Sequence, residues 1–261
     1  MTAPAATPAS SEALIRFEGL HKAFGPKVVF DDLSLEVRRG ETLAVIGGSG
    51  AGKSVLLKCL IGLMDPDDGR IIFDGQDLTG FGEKEFLPIR RRVAMVFQAS
   101  ALFDSISVGE NIEYPLRVHF PEMSDEERAH RVARVLSLVN LPGIEAMRPS
   151  DLSGGMRRRV GLARAIATEP HVILWDEPTT GLDPISTRII DNLIKGMRAK
   201  LRCTSIVVTH DMQSAFSVSD RIAMLASHRI VQVGTVAEMR ASTVKEVRAF
   251  LDARKGEARV D

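Results

Sequence analysis

The sequence predicts an α/β protein: a parallel sheet wrapped by helices, with an antiparallel β subdomain at its start and a helical subdomain inserted in its middle. Three observations carry this. Residues 42–46 (TLAVI), 93–97 (VAMVF), 172–175 (VILW) and 205–208 (SIVV) are short apolar runs without polar alternation, as strands covered on both faces require. The opening third alternates apolar and polar residues instead, the pattern of strands with one wet face. The stretch 107–150 has no strand-like run and carries a helix-start signal.

Taken in order, residues 1–11 (MTAPAATPASS) have neither a basic region nor an apolar run, so they are no signal peptide. Residues 1–13 read as a disordered tail, and order begins near Leu14. Ile15 and Phe17 alternate with Arg16 and Glu18, and Leu33, Leu35 and Val37 alternate with Ser34, Glu36 and Arg38; each set is a strand with one buried face. Residues 70–73 lead into Asp74-Gly75, a hairpin turn. In the insertion, Ser124 and Glu127 form a capping box, and Val132, Val135, Leu136 and Val139 follow at helical spacing. Residues 157–168 read as a further helix. Near the end, residues 221–225 and 229–233 flank a short turn, as a hairpin does. There is no internal repeat and no low-complexity linker.

Composition removes several function classes. Lys and Arg number 34 against 34 Asp and Glu, a balance that argues against coating nucleic acid or adhering electrostatically to membranes. One Trp and one Tyr are too few for a binding surface of stacked aromatics. Cys59 and Cys203 cannot build a disulfide framework or a four-ligand zinc site, and read as reduced thiols of a core. No apolar stretch reaches the ~18 residues of a membrane span.

The strongest single motif is Gly47, Gly48, Ser49, Gly50, Ala51, Gly52, Lys53, Ser54, which fits G-x-x-x-x-G-K-[ST] and follows a buried strand. Glycines let the backbone curl so that its N–H groups converge on phosphates, and the helix opening at residue 55 adds partial positive charge. Lys53 reaches the β and γ phosphates and the Ser54 hydroxyl binds Mg²⁺. Residues 172–177 are an apolar strand ending in two acids. Asp176 is placed to hold Mg²⁺ and Glu177 to polarise a water that attacks the γ phosphate.

Upstream stand Leu152, Ser153, Gly154, Gly155 and Met156. With this segment the sequence resembles the ATP-binding cassette (ABC) ATPases, whose signature is usually LSGGQ. Gln98 looks like the Q-loop residue, which also reaches the metal. Gly181-Leu182-Asp183 resembles the D-loop, His210 the switch histidine, and Phe24 the aromatic that stacks on adenine. Read as residues alone, Phe24 fits a strand interior equally well. The resemblance covers about residues 14–250. It implies a P-loop NTPase of ABC type, with a RecA-like core, an antiparallel β subdomain and a helical subdomain over about 104–160, all in one nucleotide-binding domain spanning 14–261. Two departures stand out: Met156 for Gln, and Phe24 for the commoner Tyr. Neither removes a catalytic group. The resemblance also implies ATP and Mg²⁺ as cofactors and a head-to-tail homodimer. In that dimer Ser153, Gly154 and Gly155 of one subunit cover the ATP on the phosphate loop of the other.

Ala101-Leu102-Phe103, Tyr114-Pro115-Leu116-Arg117, the LSGGM signature and Asp183-Pro184-Ile185 resemble the ATPases of Mla-type phospholipid transport systems, also described as organic-solvent-tolerance ATPases. The segment 247–251 is similar to the C-terminal segment of that group. That likeness implies an ATPase on the cytoplasmic face of the inner membrane, working with an integral membrane permease and an MCE-domain lipid-binding protein. It also allows for a STAS-domain regulatory subunit, and it involves no nucleic acid. Residues 98–117 would then form the surface that receives the permease. Two other classes fit less well. A DNA-repair ABC protein needs a coiled-coil or zinc-bearing insertion, and translation-type members usually carry two cassettes, whereas this chain has one phosphate loop.

Overall fold

The computed structural model describes residues 12–257, with side chains to residue 253. Of the tail expected over 1–13, residues 1–11 lie outside the described residues, as do 258–261 of the domain expected over 14–261. Glu12 and Ala13 already belong to the ordered structure. The Glu12 carbonyl accepts Arg39 N–H at 3.0 Å, and Ala13 opens the first strand.

The chain runs β1 (Ala13–Phe24), β2 (Lys27–Arg38), β3 (Thr42–Ile46), α1 (Lys53–Leu60), β4 (Asp68–Phe73), β5 (Gln76–Asp77), α2 (Glu83–Arg92) and β6 (Val93–Val96). Next come α3 (Val108–His119), α4 (Asp125–Leu138), a 3₁₀ turn (Pro149–Asp151) and α5 (Gly154–Ile166). The remainder is β7 (Val172–Asp176), α6 (Pro184–Leu201), β8 (Thr204–Thr209), α7 (Met212–Val218), β9 (Arg221–Ala226), β10 (Arg229–Thr235), α8 (Val236–Arg240) and α9 (Lys245–Glu257).

Two sheets result. One is antiparallel, in the order β2-β1-β4-β5. The other has the order β10-β9-β3-β8-β7-β6; β9, β3, β8, β7 and β6 pair in parallel, and β10 returns antiparallel on β9. The sheets meet where Asp31 N–H donates to the His228 carbonyl at 3.0 Å.

The uninterrupted apolar runs are explained by what lies on each face. Along β7, Val172 and Leu174 face a core shared with the antiparallel sheet and α1, while Ile173 and Trp175 face a second core built with α3 to α6. Along β3, Leu43 and Val45 face the first core, and Ala44 and Ile46 face a third, closed by Met239 of α8 and by Val247 and Leu251 of α9. Two-residue periodicity thus serves two apolar neighbours at once. The capping box of α4 forms as expected: Glu127 N–H donates to Ser124 Oγ at 3.2 Å and Ser124 N–H to Glu127 Oε2 at 2.7 Å. Cys59 and Cys203 are buried, and burial pushes their thiols up to about 12 and about 11, so both stay protonated. Among the described residues no helix is long and apolar enough to cross a membrane.

Candidate nucleotide site

Parallel strands share one carboxyl edge, and the predicted site residues gather there. The loop 47–52 leaves β3, Gln98 follows β6, Asp176 and Glu177 end β7, and His210 follows β8. Of these, Ser49 to Gly52, Gln98, Glu177 and His210 line an open cleft of about 550 Å³, joined by Phe24, Lys53 and Ser54.

The loop's conformation depends on glycine at two positions. Gly52 caps α1 with φ +103°, and a Cβ there would meet Val29 Cγ1 at 2.4 Å. A Cβ on Gly47 would strike the Leu225 carbonyl oxygen at 2.4 Å. Lys53 folds back over the loop: its ammonium donates to the Gly47 and Gly48 carbonyls at 2.9 and 3.1 Å, and lies 3.7 Å from Glu177 Oε1. The ammonium is buried yet borders the cleft, where the N-terminal amides of α1 also converge.

Ser54 Oγ donates to Asp176 Oδ1 at 2.5 Å. The Asp176 carboxyl is held above the ordinary carboxylate range, first by burial and further by the charge of Glu177, with the Ser54 hydrogen bond pulling the other way. A raised pKa means that the ionised form costs stability near neutral pH. That cost fades as pH falls through the raised folded value toward the ordinary carboxylate range. Asp176→Asn is therefore expected to raise the Tm of the nucleotide-free protein at pH 7. The gain should shrink toward pH 4. Thermal melts of both proteins across that range check it; a fall in Tm at pH 7 contradicts it.

Glu177 is the most constrained residue of the site. Its backbone adopts a left-handed φ of +48°, a conformation that costs a non-glycine residue about 1–3 kcal/mol and persists only where neighbours impose it. Its N–H donates to the Val208 carbonyl at 2.9 Å. Its Oε2 accepts from Thr180 Oγ1 at 3.0 Å and lies 2.8 Å from His210 Nδ1. A carboxylate oxygen accepts, so in this pair His210 Nδ1 is the donor.

Phe24 is not a strand-interior residue. It is 46% exposed at the cleft mouth, with the Lys22 ammonium 5.4 Å from its ring centroid. Lys27 and Val29 join it in the lining. Sequence reasoning missed them, although Gly25-Pro26 between two strands signals the turn that sets Lys27 beside Phe24. Thr180 was missed as well.

Seven predicted residues do not line this cleft: Gly47, Gly48 and Asp176, and Ser153, Gly154, Gly155 and Asp183. Ser153 caps α5, its Oγ accepting Met156 N–H at 3.2 Å, and Gly154 and Gly155 form that helix's first turn. Asp183 caps α6, accepting Ile185 and Ser186 N–H at 2.9 Å each and the Ser186 hydroxyl at 2.5 Å.

A second, apolar cleft of about 420 Å³ lies beside α3 and β6, lined by Leu63, Phe97, Ala101, Phe103, Tyr114 and Arg164 among others. Phe103 and Tyr114 are exposed, with ring centroids 5.1 Å apart. Within the stretch 98–117, Leu116 is fully buried and Leu102 packs on the second core, so only part of that stretch faces this cleft.

A glycine-rich loop ending in a buried lysine, at the carboxyl edge of a parallel sheet, defines a nucleotide-phosphate-binding protein of the P-loop class. The family model described as ABC transporter matches residues 30–180. At 40% identity the chain is similar to the intermembrane phospholipid transport ATP-binding protein MlaF of Haemophilus influenzae, over 95% of this chain and 92% of that protein. It is equally similar, at 40%, to the methionine import ATP-binding protein MetN of Rhizobium johnstonii, over 93% and 67%, and to a probable ribonucleotide transport ATP-binding protein of Mycobacterium leprae, over 92% and 69%. Among solved structures it is similar to the dimeric ATP-binding cassette MJ0796 in a post-hydrolysis state bound to ADP and Pi, with 30% identity, a TM-score of 0.78 and coverage of 85% and 98%. It is also similar to cbiO1 of Clostridium perfringens, with 28% identity, a TM-score of 0.81 and coverage of 96% of each chain. The chain belongs to the ABC transporter family, binds ATP, and is an ATPase.

Proposed function

We propose that the chain is the ATPase subunit of a phospholipid transporter, acting as a head-to-tail homodimer on the cytoplasmic face of the inner membrane beneath a separate permease. In this reading residues 14–261 form one nucleotide-binding domain, with the helices of about 104–160 inserted. The single observation that carries ATP hydrolysis is the Lys53–Glu177–His210 constellation bordering the cleft. Lys53 binds the β and γ phosphates, Glu177 takes the proton of the attacking water, and His210 orients Glu177. Gly47 to Ser54 cradle the phosphates.

Mg²⁺ fits the donors present. The Ser54 hydroxyl and one Asp176 carboxylate meet, and Gln98 lines the same cleft. Such hard oxygens suit a cation that keeps several waters and shares phosphate oxygens. When bound, Mg²⁺ supplies positive charge against the phosphates. No cluster of three or more His, Cys, Asp or Glu suited to a metal occurs among the described residues, in keeping with a site completed by the nucleotide.

Phe24 supplies a π face for adenine. Stacking is worth about 1–3 kcal/mol per base, so Phe24→Ala is expected to raise KM for ATP roughly 10-fold, with Phe24→Tyr near wild type. An unchanged KM in Phe24→Ala would remove the assignment.

Dimerisation is supported by the placement of Ser153, Gly154 and Gly155. They form an outward helix start that does not line the chain's own cleft, where they and Asp183 can meet a partner's triphosphate. The apolar cleft beside α3 receives the permease. For lipid as cargo, the support is the likeness to the phospholipid relative together with residues 101–103, 114–117 and 183–185 and the LSGGM signature. The test is affinity purification of the tagged ATPase from detergent-solubilised membranes, with identification of proteins and bound small molecules. A permease, an MCE-domain protein and phospholipid are expected, with or without a STAS-domain subunit. A methionine- or nucleotide-binding protein in their place would overturn the lipid assignment.

A further inference from the structure

The structure assigns Arg158 as a positioning residue for hydrolysis, tying the main chain at Glu177 to the helix that begins at the signature loop. Arg158 lies one turn into α5 and outside the cleft lining. Its Nη1 donates to the Glu177 carbonyl at 3.1 Å and its Nη2 to the Thr180 carbonyl at 2.9 Å. Among the described residues no carboxylate lies within ion-pair distance of it. A guanidinium partly withdrawn from water is thus committed to two backbone oxygens, although burial disfavours its charge.

Those two oxygens bracket the turn that carries the general base. Thr180 Oγ1 holds the Glu177 carboxylate from one side, while Arg158 holds the backbone of the same turn from the other. Glu177 needs such support because its φ of +48° is unfavourable for a non-glycine residue. The far end of the linkage is the first turn of α5. There a Cβ on Gly155 would lie 3.1 Å from Ser186 Oγ, the hydroxyl bonded to Asp183. Signature turn, D-loop cap and catalytic turn are therefore packed as one unit, and Arg158 is the polar strut across it. A shift at Ser153 when it meets a partner's nucleotide moves the backbone of Glu177 in the same subunit.

This rests on reading Glu177 as the base. The test measures kcat, KM for ATP and Tm for Arg158→Ala and Arg158→Gln, each in the wild-type and Glu177→Gln backgrounds. With two bonds gone, misplacement of the carboxylate should lower kcat about 10- to 100-fold, with KM within twofold. Arg158→Gln, which can still serve one carbonyl, should fall between. In the Glu177→Gln background Arg158→Ala should cost nothing more, because the group it positions is gone. Wild-type kcat in Arg158→Ala, a raised KM without loss of kcat, or an equal fold-loss in the Glu177→Gln background would overturn the proposal. If Arg158→Ala does not fold, the same split in Arg158→Gln decides. Failure of the base assignment itself shows separately, as wild-type turnover by Glu177→Gln alone.

Discussion

Glu177→Gln is expected to lower ATP turnover by about 10²- to 10⁴-fold, the contribution of a positioned general base, while ATP still binds. Glutamine keeps the volume of the side chain and one carbonyl oxygen, so the turn over 177–180 should persist. What disappears is an oxygen basic enough to take a proton from water, together with the charge facing Lys53 at 3.7 Å. The His210 ring also loses the carboxylate that holds it in place. With a negative charge removed from beside the phosphates, ATP affinity should be equal or higher. Turnover assays and equilibrium binding of a fluorescent ATP analogue check both halves. Wild-type turnover would show that another group acts as base.

Lys53→Ala is expected to weaken ATP binding at least 100-fold. Charge-assisted bonds to phosphate are each worth about 1.5–3 kcal/mol, and Lys53 is the buried cation of the loop. Stability should change little. The Gly48 carbonyl that loses its ammonium belongs to an exposed residue and can take water, and Glu177 keeps His210 and Thr180. Titration calorimetry with ATP, read beside the melting temperature, separates lost binding from lost fold. Wild-type affinity in a folded Lys53→Ala protein would remove Lys53 from the phosphate site.

Much of this was legible in the sequence, for physical reasons. β3, β7 and β8 announce themselves because both faces are covered and nothing polar can intervene. The site residues announce themselves because each parallel strand delivers its acid, glutamine or histidine to one edge. Other features stayed hidden. α2 buries only Phe86 and Ile89 and contains Pro88, so its pattern is too sparse and too interrupted to read. β1 and β2 pair over their full 12 residues, but register shifts between Phe17 and Ala23 break the alternation that would have revealed it. The left-handed backbone of Glu177 has no glycine to mark it. Arg158, flanked by Arg157 and Arg159, looks like any solvated charge until its two carbonyl partners are seen.

The central claim is that one chain's Ser153 turn closes over ATP held by Lys53 of another. Sedimentation of Glu177→Gln with ATP and Mg²⁺ tests it most directly, run beside Glu177→Gln carrying Ser153→Arg. The account predicts a dimer with ATP, a monomer with ADP, and a monomer that still binds ATP once Ser153 is arginine. A protein that stays monomeric with ATP bound, or a dimer indifferent to Ser153→Arg, would contradict it.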